Sequence, residues 1–170
     1  IEHLDLLVAS HADNDHAGGI PAVAAQFPAA ERMSGEPERL PIAMASCDAG
    51  KTWRWDGVSL RVVSSGRTDG PANDRSCVLL VEGAGGRALL TGDITAAIEP
   101  TVAAAVAEGP PLVLSVPHHG SKTSSSAAFI QSLAPALALV SAGWRNRFHH
   151  PSPVVMKRYD EAGVPWLNTA

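Results

Sequence analysis

Apolar residues fall along the chain in short blocks whose spacing switches between the period of a strand and that of a helix. Residues 4–9 form an apolar run broken by Asp5 and predict a buried strand. After a polar stretch and Gly18-Gly19, residues 20–27 predict a helix with Pro21 in its first turn. Residues 28–50, rich in proline, glycine and charge, are expected to be mostly irregular. Residues 52–55 and 58–64 flank Asp56-Gly57, a hairpin turn signal, and 66–73 predicts a loop. A second hairpin is expected from 76–81 and 87–91 around Gly83-Ala84-Gly85-Gly86. Residues 100–108 predict a helix stopped by Gly109 and Pro110. Strands are expected at 112–116 and 136–141, with a helix over 126–133 between them. A basic helix over 153–162 ends at Gly163, and Trp166-Leu167 begins a last strand. The alternation predicts layered α/β packing in one domain.

Composition narrows the class more than the chemistry. The 170 residues suffice for one domain with its own core, and 45% hydrophobic content is ordinary for a globular protein. No apolar run approaches the roughly 20 residues of a membrane helix. The opening Ile1-Glu2-His3-Leu4 also lacks the basic region and apolar stretch of a signal peptide. A soluble piece is expected, whatever larger protein it belongs to. A net charge of −4 argues against a broad nucleic-acid footprint. Two bound divalent cations would reverse the field locally, so a phosphate substrate stays open. The two cysteines, Cys47 and Cys77, form no CxxC, so a structural zinc site is not expected. Their spacing leaves a disulfide undecided.

The chemistry concentrates in His11-Ala12-Asp13-Asn14-Asp15-His16, which offers four ligand-type side chains between an expected strand and an expected helix. Ends of strands are where open α/β sheets build sites. A tight turn there can point His11 and Asp13 one way and Asp15 and His16 the other, holding two metals side by side. Gly18-Gly19 would let the backbone pass close to them. Thr91-Gly92-Asp93 ends a second strand with a carboxylate, and Pro117-His118-His119-Gly120-Ser121 ends a third with paired imidazoles. A lone Asp in that position is commonly a helix cap, and a lone His pair is commonly surface. Three strand ends that all carry ligands point to a metal centre.

The order HxDxDHxGG, TGD, HHGS resembles the metallo-β-lactamase superfamily and, more narrowly, the C-terminal domain of the ComEC family of DNA-uptake proteins. Cys47, Gly50, Trp53, Asp56-Gly57-Val58, Asn73-Asp74-Arg75-Ser76 and Arg145-Asn146-Arg147-Phe148-His149-His150-Pro151 carry the narrower resemblance, which covers essentially the whole chain. It implies an αββα sandwich. In that family several strands precede the first metal motif, so this chain is expected to be an N-terminally truncated single domain that self-associates or holds its metals poorly. By the resemblance His11 and Asp13 hold one metal, Asp15 and His16 the other, and Asp93 bridges them. His118 is the expected ligand of the fourth strand end, with His119 as the alternate. The superfamily usually adds a histidine on a loop before the TGD strand. None lies between His16 and His118, so Asn73 or Asp74 is the stand-in and one metal is expected to be weakly held. Asp13 stands where most of the superfamily has histidine, a harder donor that favours Mn²⁺ over Zn²⁺.

For the substrate, the resemblance implies nuclease work on single-stranded DNA, degrading the non-transported strand during natural transformation. The soluble domain would sit on the periplasmic or extracellular face of a bacterial inner-membrane protein. Asp15 would orient or deprotonate the attacking water, and His150, at the family's HP position, would touch substrate or move a proton. Asn73, Ser121, Lys122, Arg145, Asn146 and Arg147 are candidate substrate contacts. The serine run 121–126 reads equally as an anion site or as an ordinary helix N-cap. The arginine cluster reads as a phosphate track or as solvated surface charge. Trp53, Trp55 and Trp144 could stack on bases or simply pack. Two other readings stay open: a hydrolase of small phosphodiesters or acyl bonds, and a domain that binds DNA or a partner without cutting.

Overall fold

The structure, a computed structural model, describes residues 1–64, 70–106 and 108–170. Among these residues ten strands form two sheets. The smaller sheet is wholly parallel, in the order β1 (Leu6–Ala9), β2 (Glu31–Ser34), β3 (Ala45–Ser46). The larger runs β10-β9-β8-β7-β6-β5-β4. Its strands are β4 (Thr52–Trp55), β5 (Val58–Ser64), β6 (Val78–Gly83), β7 (Gly86–Leu90), β8 (Leu112–Ser115), β9 (Leu137–Val140) and β10 (Trp166–Asn168). The meander β4 to β7 is antiparallel, and β7 to β10 are parallel.

Strand alternation sends Leu80, Leu89, Leu114 and Ala138 to one face. There they meet α3 (Glu99–Ala105), α4 (Ala127–Leu133) and α5 (Pro153–Glu161) through Val102, Phe129, Ile130, Val155 and Tyr159. The other face places Val62, Cys77 and Leu79 against Met33 and Cys47 of the smaller sheet. Beyond that sheet lie α1 (Asn14–Ala17) and α2 (Ile20–Gln26), whose Ala17 and Ile20 bury against Ala9. The layers are therefore α, β, β, α, the expected sandwich. Cys47 and Cys77 are joined by a disulfide across the sandwich, with Cα atoms 5.8 Å apart. The covering by the smaller sheet is uneven. Leu90, Leu139 and Leu167, all on the sandwich face, stay 47%, 38% and 60% exposed beside β1, an edge strand.

Both hairpins form as expected. Asp56 and Gly57 take positive φ values of 48° and 80°, the turn that matches strand twist. The stretch 28–50 is mostly irregular, as expected, but the short strands β2 and β3 lie inside it. The expected loop 66–73 and the end of the helix expected over 100–108 lie partly outside the described residues. Among the described residues no helix is long and apolar enough to cross a membrane.

Candidate metal centre

The parallel strands β1, β2, β7, β8 and β9 bring their C-terminal ends to one edge of the sandwich, so five separated stretches of sequence meet there. Two glycines allow the approach. A Cβ on Gly35 would stand 1.9 Å from the Arg75 carbonyl oxygen and 2.5 Å from that of Ser10. Gly92, at φ +56°, leaves room for Ser10 and Ser76, whose Cβ atoms would each be 2.9 Å away. Gly18 behaves differently from expectation. Its missing side chain makes room for Asn14 of the preceding turn, and Gly19 faces open space.

His11 is fully buried. Its Nδ1 lies 3.1 Å from Ser10 Oγ, and the same hydroxyl lies 3.1 Å from Nδ1 of His16. One serine thus holds the outer nitrogens of both imidazoles and turns both Nε2 atoms inward. His16 Nε2 is 3.1 Å from Asp93 Oδ1 and 3.1 Å from His119 Nε2. The other Asp93 oxygen is 3.6 Å from His119 and 3.7 Å from His118. His119 Nδ1 donates to the Ser141 carbonyl at 2.6 Å, which leaves its Nε2 bare and fixed toward Asp15 Oδ2 at 3.2 Å.

Two compact donor groups result: His11, His16 and Asp93, and Asp15, His16 and His119. Within each, the ligand atoms lie inside 4.8 Å of one another. His16 is common to both, rather than belonging to one metal as the resemblance divides it. The reason is local: His16 sits within α1, and its ring lies over that of His11 with centroids 4.3 Å apart. Asp13 borders the first group, 3.6 Å from His11 Nε2. Of the histidine pair, His119 enters a compact group. His118 stands behind Asp93, where Asn73 Nδ2 donates to its ring and Thr123 Oγ1 lies 3.1 Å from Nδ1. Both histidines have positive φ, 51° and 55°, so the chain kinks there and sends successive side chains in directions that strand alternation does not foretell.

Charge balance suits cations. Burial raises the Asp93 carboxyl, but the hydrogen bond from His16 and the charges of His16, His119 and His118 outweigh it and hold the group below its ordinary range. Burial lowers His16, yet the bond to Asp93 and the charges of Asp93, Asp15 and Asp13 hold it above. Burial, then His16, pushes His11 down, and burial pushes His118 down. A metal takes neutral imidazoles and ionised carboxylates. The sharpest sign of fit is His11 Nε2, a buried nitrogen with no hydrogen-bond partner among the described residues. A buried polar atom left without a partner costs about 1–3 kcal/mol, and with the proton on Nδ1 a cation at the bare Nε2 would remove the cost.

Other expected residues are placed less directly. Asp74 lies outside both donor groups, and one oxygen of its buried carboxylate accepts from the Thr95 amide and hydroxyl at 3.1 and 2.7 Å. The serine run is occupied internally. Ser121 Oγ pairs with Thr123 Oγ1, Ser124 donates to the Pro117 carbonyl, Ser125 accepts from Tyr159, and Ser126 caps the Phe129 amide. Glu99 takes the Ser125 and Ser126 amides, so the helix-cap reading holds over the anion-site reading. Lys122 is exposed. Asn146 closes its own loop, accepting from the His150 amide at 2.9 Å and donating to its carbonyl at 2.7 Å. Arg145 and Arg147 lie over Trp144 and Phe148. His150 lines a cleft of about 360 Å³ with Asp15 and His119.

Sequence reasoning missed Ser10, Ser141 and above all Glu36. That carboxylate is 1% exposed. It accepts from the Ala12 amide at 3.1 Å and from Arg39 at 2.7 Å, and Arg39 reaches on to Asp13 at 3.6 Å. A single Glu in a charged stretch carries no signal of this.

The metallo-beta-lactamase superfamily model matches residues 1–144. Competence protein ComA of Neisseria gonorrhoeae is 36% identical over 171 residues, 99% of this chain and 24% of that protein. Recombination protein 2 of Haemophilus influenzae is 36% identical over 174 residues, 98% of this chain and 21% of that protein. The chain thus spans under a quarter of the length of these curated relatives. A crystal structure from Parabacteroides distasonis, described as that of a metal-dependent hydrolase, aligns at a TM-score of 0.61. It covers 99% of this chain and 77% of that one at 12% identity, a likeness of fold.

Proposed function

The chain belongs to the metallo-beta-lactamase superfamily, and from that premise we propose that it is a two-metal nuclease of single-stranded DNA, degrading the strand left outside during DNA uptake. Superfamily membership makes it a relative of metal-dependent hydrolases, and its similarity to competence and recombination proteins supports DNA as the substrate. The observation that carries the reading is the pair of donor groups sharing His16, with the orphaned His11 nitrogen aimed inward.

Two divalent ions held there would activate a water and offset charge on the phosphodiester under attack. The chain's residues do the rest. His11, His16, Asp93 and, at its border, Asp13 make the first group, and Asp15, His16 and His119 make the second. Asp15 is 65% exposed, so its carboxylate can reach the solvent side of the site and orient water. His150 is held below its ordinary pKa by burial, then by His118 and His119. It is therefore neutral near pH 7 and able to accept a proton. The carboxylates of Asp13, Asp15 and Asp93 favour Mn²⁺ over Zn²⁺. The disulfide supports a setting outside the reducing cytoplasm. The exposed Leu90, Leu139 and Leu167 beside the β1 edge support self-association, readable by sedimentation at rising concentration.

The test is add-back of Mn²⁺ or Zn²⁺ to metal-stripped protein with a single-stranded DNA substrate. Cleavage returns with Mn²⁺ and is absent in Asp15→Ala, an exposed site whose loss leaves the fold intact. Restoration by Zn²⁺ alone removes the manganese assignment. Cleavage of small esters but not DNA, or DNA binding without cleavage, removes the nuclease reading.

A further inference from the structure

Beside the second donor group the loop 143–150 carries a set of aromatic and cationic side chains that metal binding does not use. Phe148 is 62% exposed, and its ring is open to solvent beside the cleft. Its ring stacks on His150, with centroids 5.7 Å apart and planes 18° from parallel. Arg147 lies over it at 4.7 Å. Neither Arg147 nor Arg145 makes an ion pair among the described residues. Asn146 pins both the amide and the carbonyl of His150, so the platform is set by the loop's own hydrogen bonds. His150 also keeps a buried Nδ1 without a hydrogen-bond partner among the described residues. Phe148 and His150 line the same cleft as Asp15 and His119. At about 360 Å³ the cleft sits at the lower end of the roughly 300–1,000 Å³ of ligand sites, room for one nucleotide rather than a length of strand.

We infer that Phe148, backed by His150, is a stacking platform for one unpaired nucleobase, placed so that the neighbouring phosphate falls at the Asp15–His16–His119 group. The inference rests on the nuclease reading and deepens it. A base inside a duplex has both faces covered by its neighbours and cannot reach a protruding ring. An unpaired base can, and every base has a face to offer, so the platform selects single strands without reading sequence. The exposed Arg147, which gives up its place over the Phe148 ring to the base, and Arg145 serve the flanking backbone.

The experiment measures binding of the full chain by fluorescence anisotropy in EDTA, which stops cleavage. The probes are a short oligo-dT and a strand of equal length made of abasic deoxyribose phosphates. The protein binds oligo-dT more tightly than the abasic strand. Phe148→Ala removes about tenfold of that preference, Phe148→Trp keeps it, and Phe148→Leu, which retains bulk without a π-face, loses it. An unchanged preference in Phe148→Ala, or none in the parent protein, overturns the platform. Metal-loaded cleavage of oligo-dT is scored separately. Cleavage with no platform leaves the nuclease reading standing. A preserved, Phe148-dependent preference without cleavage leaves a base-binding cleft in a protein that does not cut.

Discussion

Two loops at the same edge of the sandwich are held in opposite ways. In the loop 10–16, His11 is fully buried, one serine hydroxyl serves two imidazoles, and the buried Glu36 takes the Ala12 amide. In the loop 143–150, Trp144 and Phe148 are 75% and 62% exposed, and the holding bonds come from Asn146 within the same loop. The difference follows from what each loop has to bind. Metal donors must be set before the ion arrives, because reorganising several of them on binding would cost affinity. Groups that meet a polymer must instead protrude. The first loop is therefore fixed by its own Ser10 together with distant parts of the chain, and the second by itself.

That contrast is broken if the supports of the first loop prove dispensable. Ser10→Ala leaves two Nδ1 atoms without their shared partner, and Glu36→Gln weakens the hold on Ala12 and Arg39. Each is expected to lower metal affinity about 10–100-fold, measured by titration with a competing chelator. Glu36→Gln also lowers stability on the order of 1–3 kcal/mol, nearer the lower figure because Arg39 is 45% exposed and solvent screens the lost charge. Urea unfolding measures this. Substitutions in the loop 143–150 leave metal affinity unchanged. If Ser10→Ala binds metal like the parent, the imidazoles are preset by something other than that hydroxyl.

Acid provides a milder probe of the same contrast. In metal-free protein His11, His118 and His150 are held below 6.5, first by burial. Each contributes stability present above about pH 6.5 and lost as pH falls through its folded value. His16, held above 6.5, acts oppositely: its contribution is full below that pH and is lost as pH rises. With three groups against one, the urea midpoint of EDTA-treated protein falls between about pH 7 and pH 5. A midpoint that rises would mean that His16 dominates.

How much of this was legible in the sequence divides along the same line. The ligand-bearing strand ends, both hairpins and the outer helices follow from local pattern, and structure and sequence agree on them. Strand β2 escaped because only Met33 looks apolar, while its other buried residue is Ser34 and Arg32 turns back to the Ala24 and Pro28 carbonyls. Preference between His118 and His119 was not readable, since it turns on two left-handed residues in a kink. The hydroxyls of 121–126 show in composition, but their partners Glu99 and Tyr159 lie 26 to 34 residues away. Local pattern reveals which residues have chemistry to offer. What each one is committed to depends on partners far along the chain.

The smallest effect expected is in the second loop, and it is the one that separates positioning from direct binding. Arg145→Ala with Arg147→Ala removes two guanidiniums that rest on aromatic rings and make no ion pair among the described residues. Because they support nothing buried, stability should change by no more than about 0.5 kcal/mol, and metal content should not change. If they meet the phosphate backbone, each guanidinium removed lowers the slope of log affinity against log salt by about 0.7 on single strands. The double variant therefore binds DNA several-fold more weakly at low salt and converges on the parent at high salt. A uniform weakening at all salt concentrations would mean that the arginines hold the aromatic platform in shape. The second loop would then be built like the first, from residues that position others, and the contrast between the two would fail.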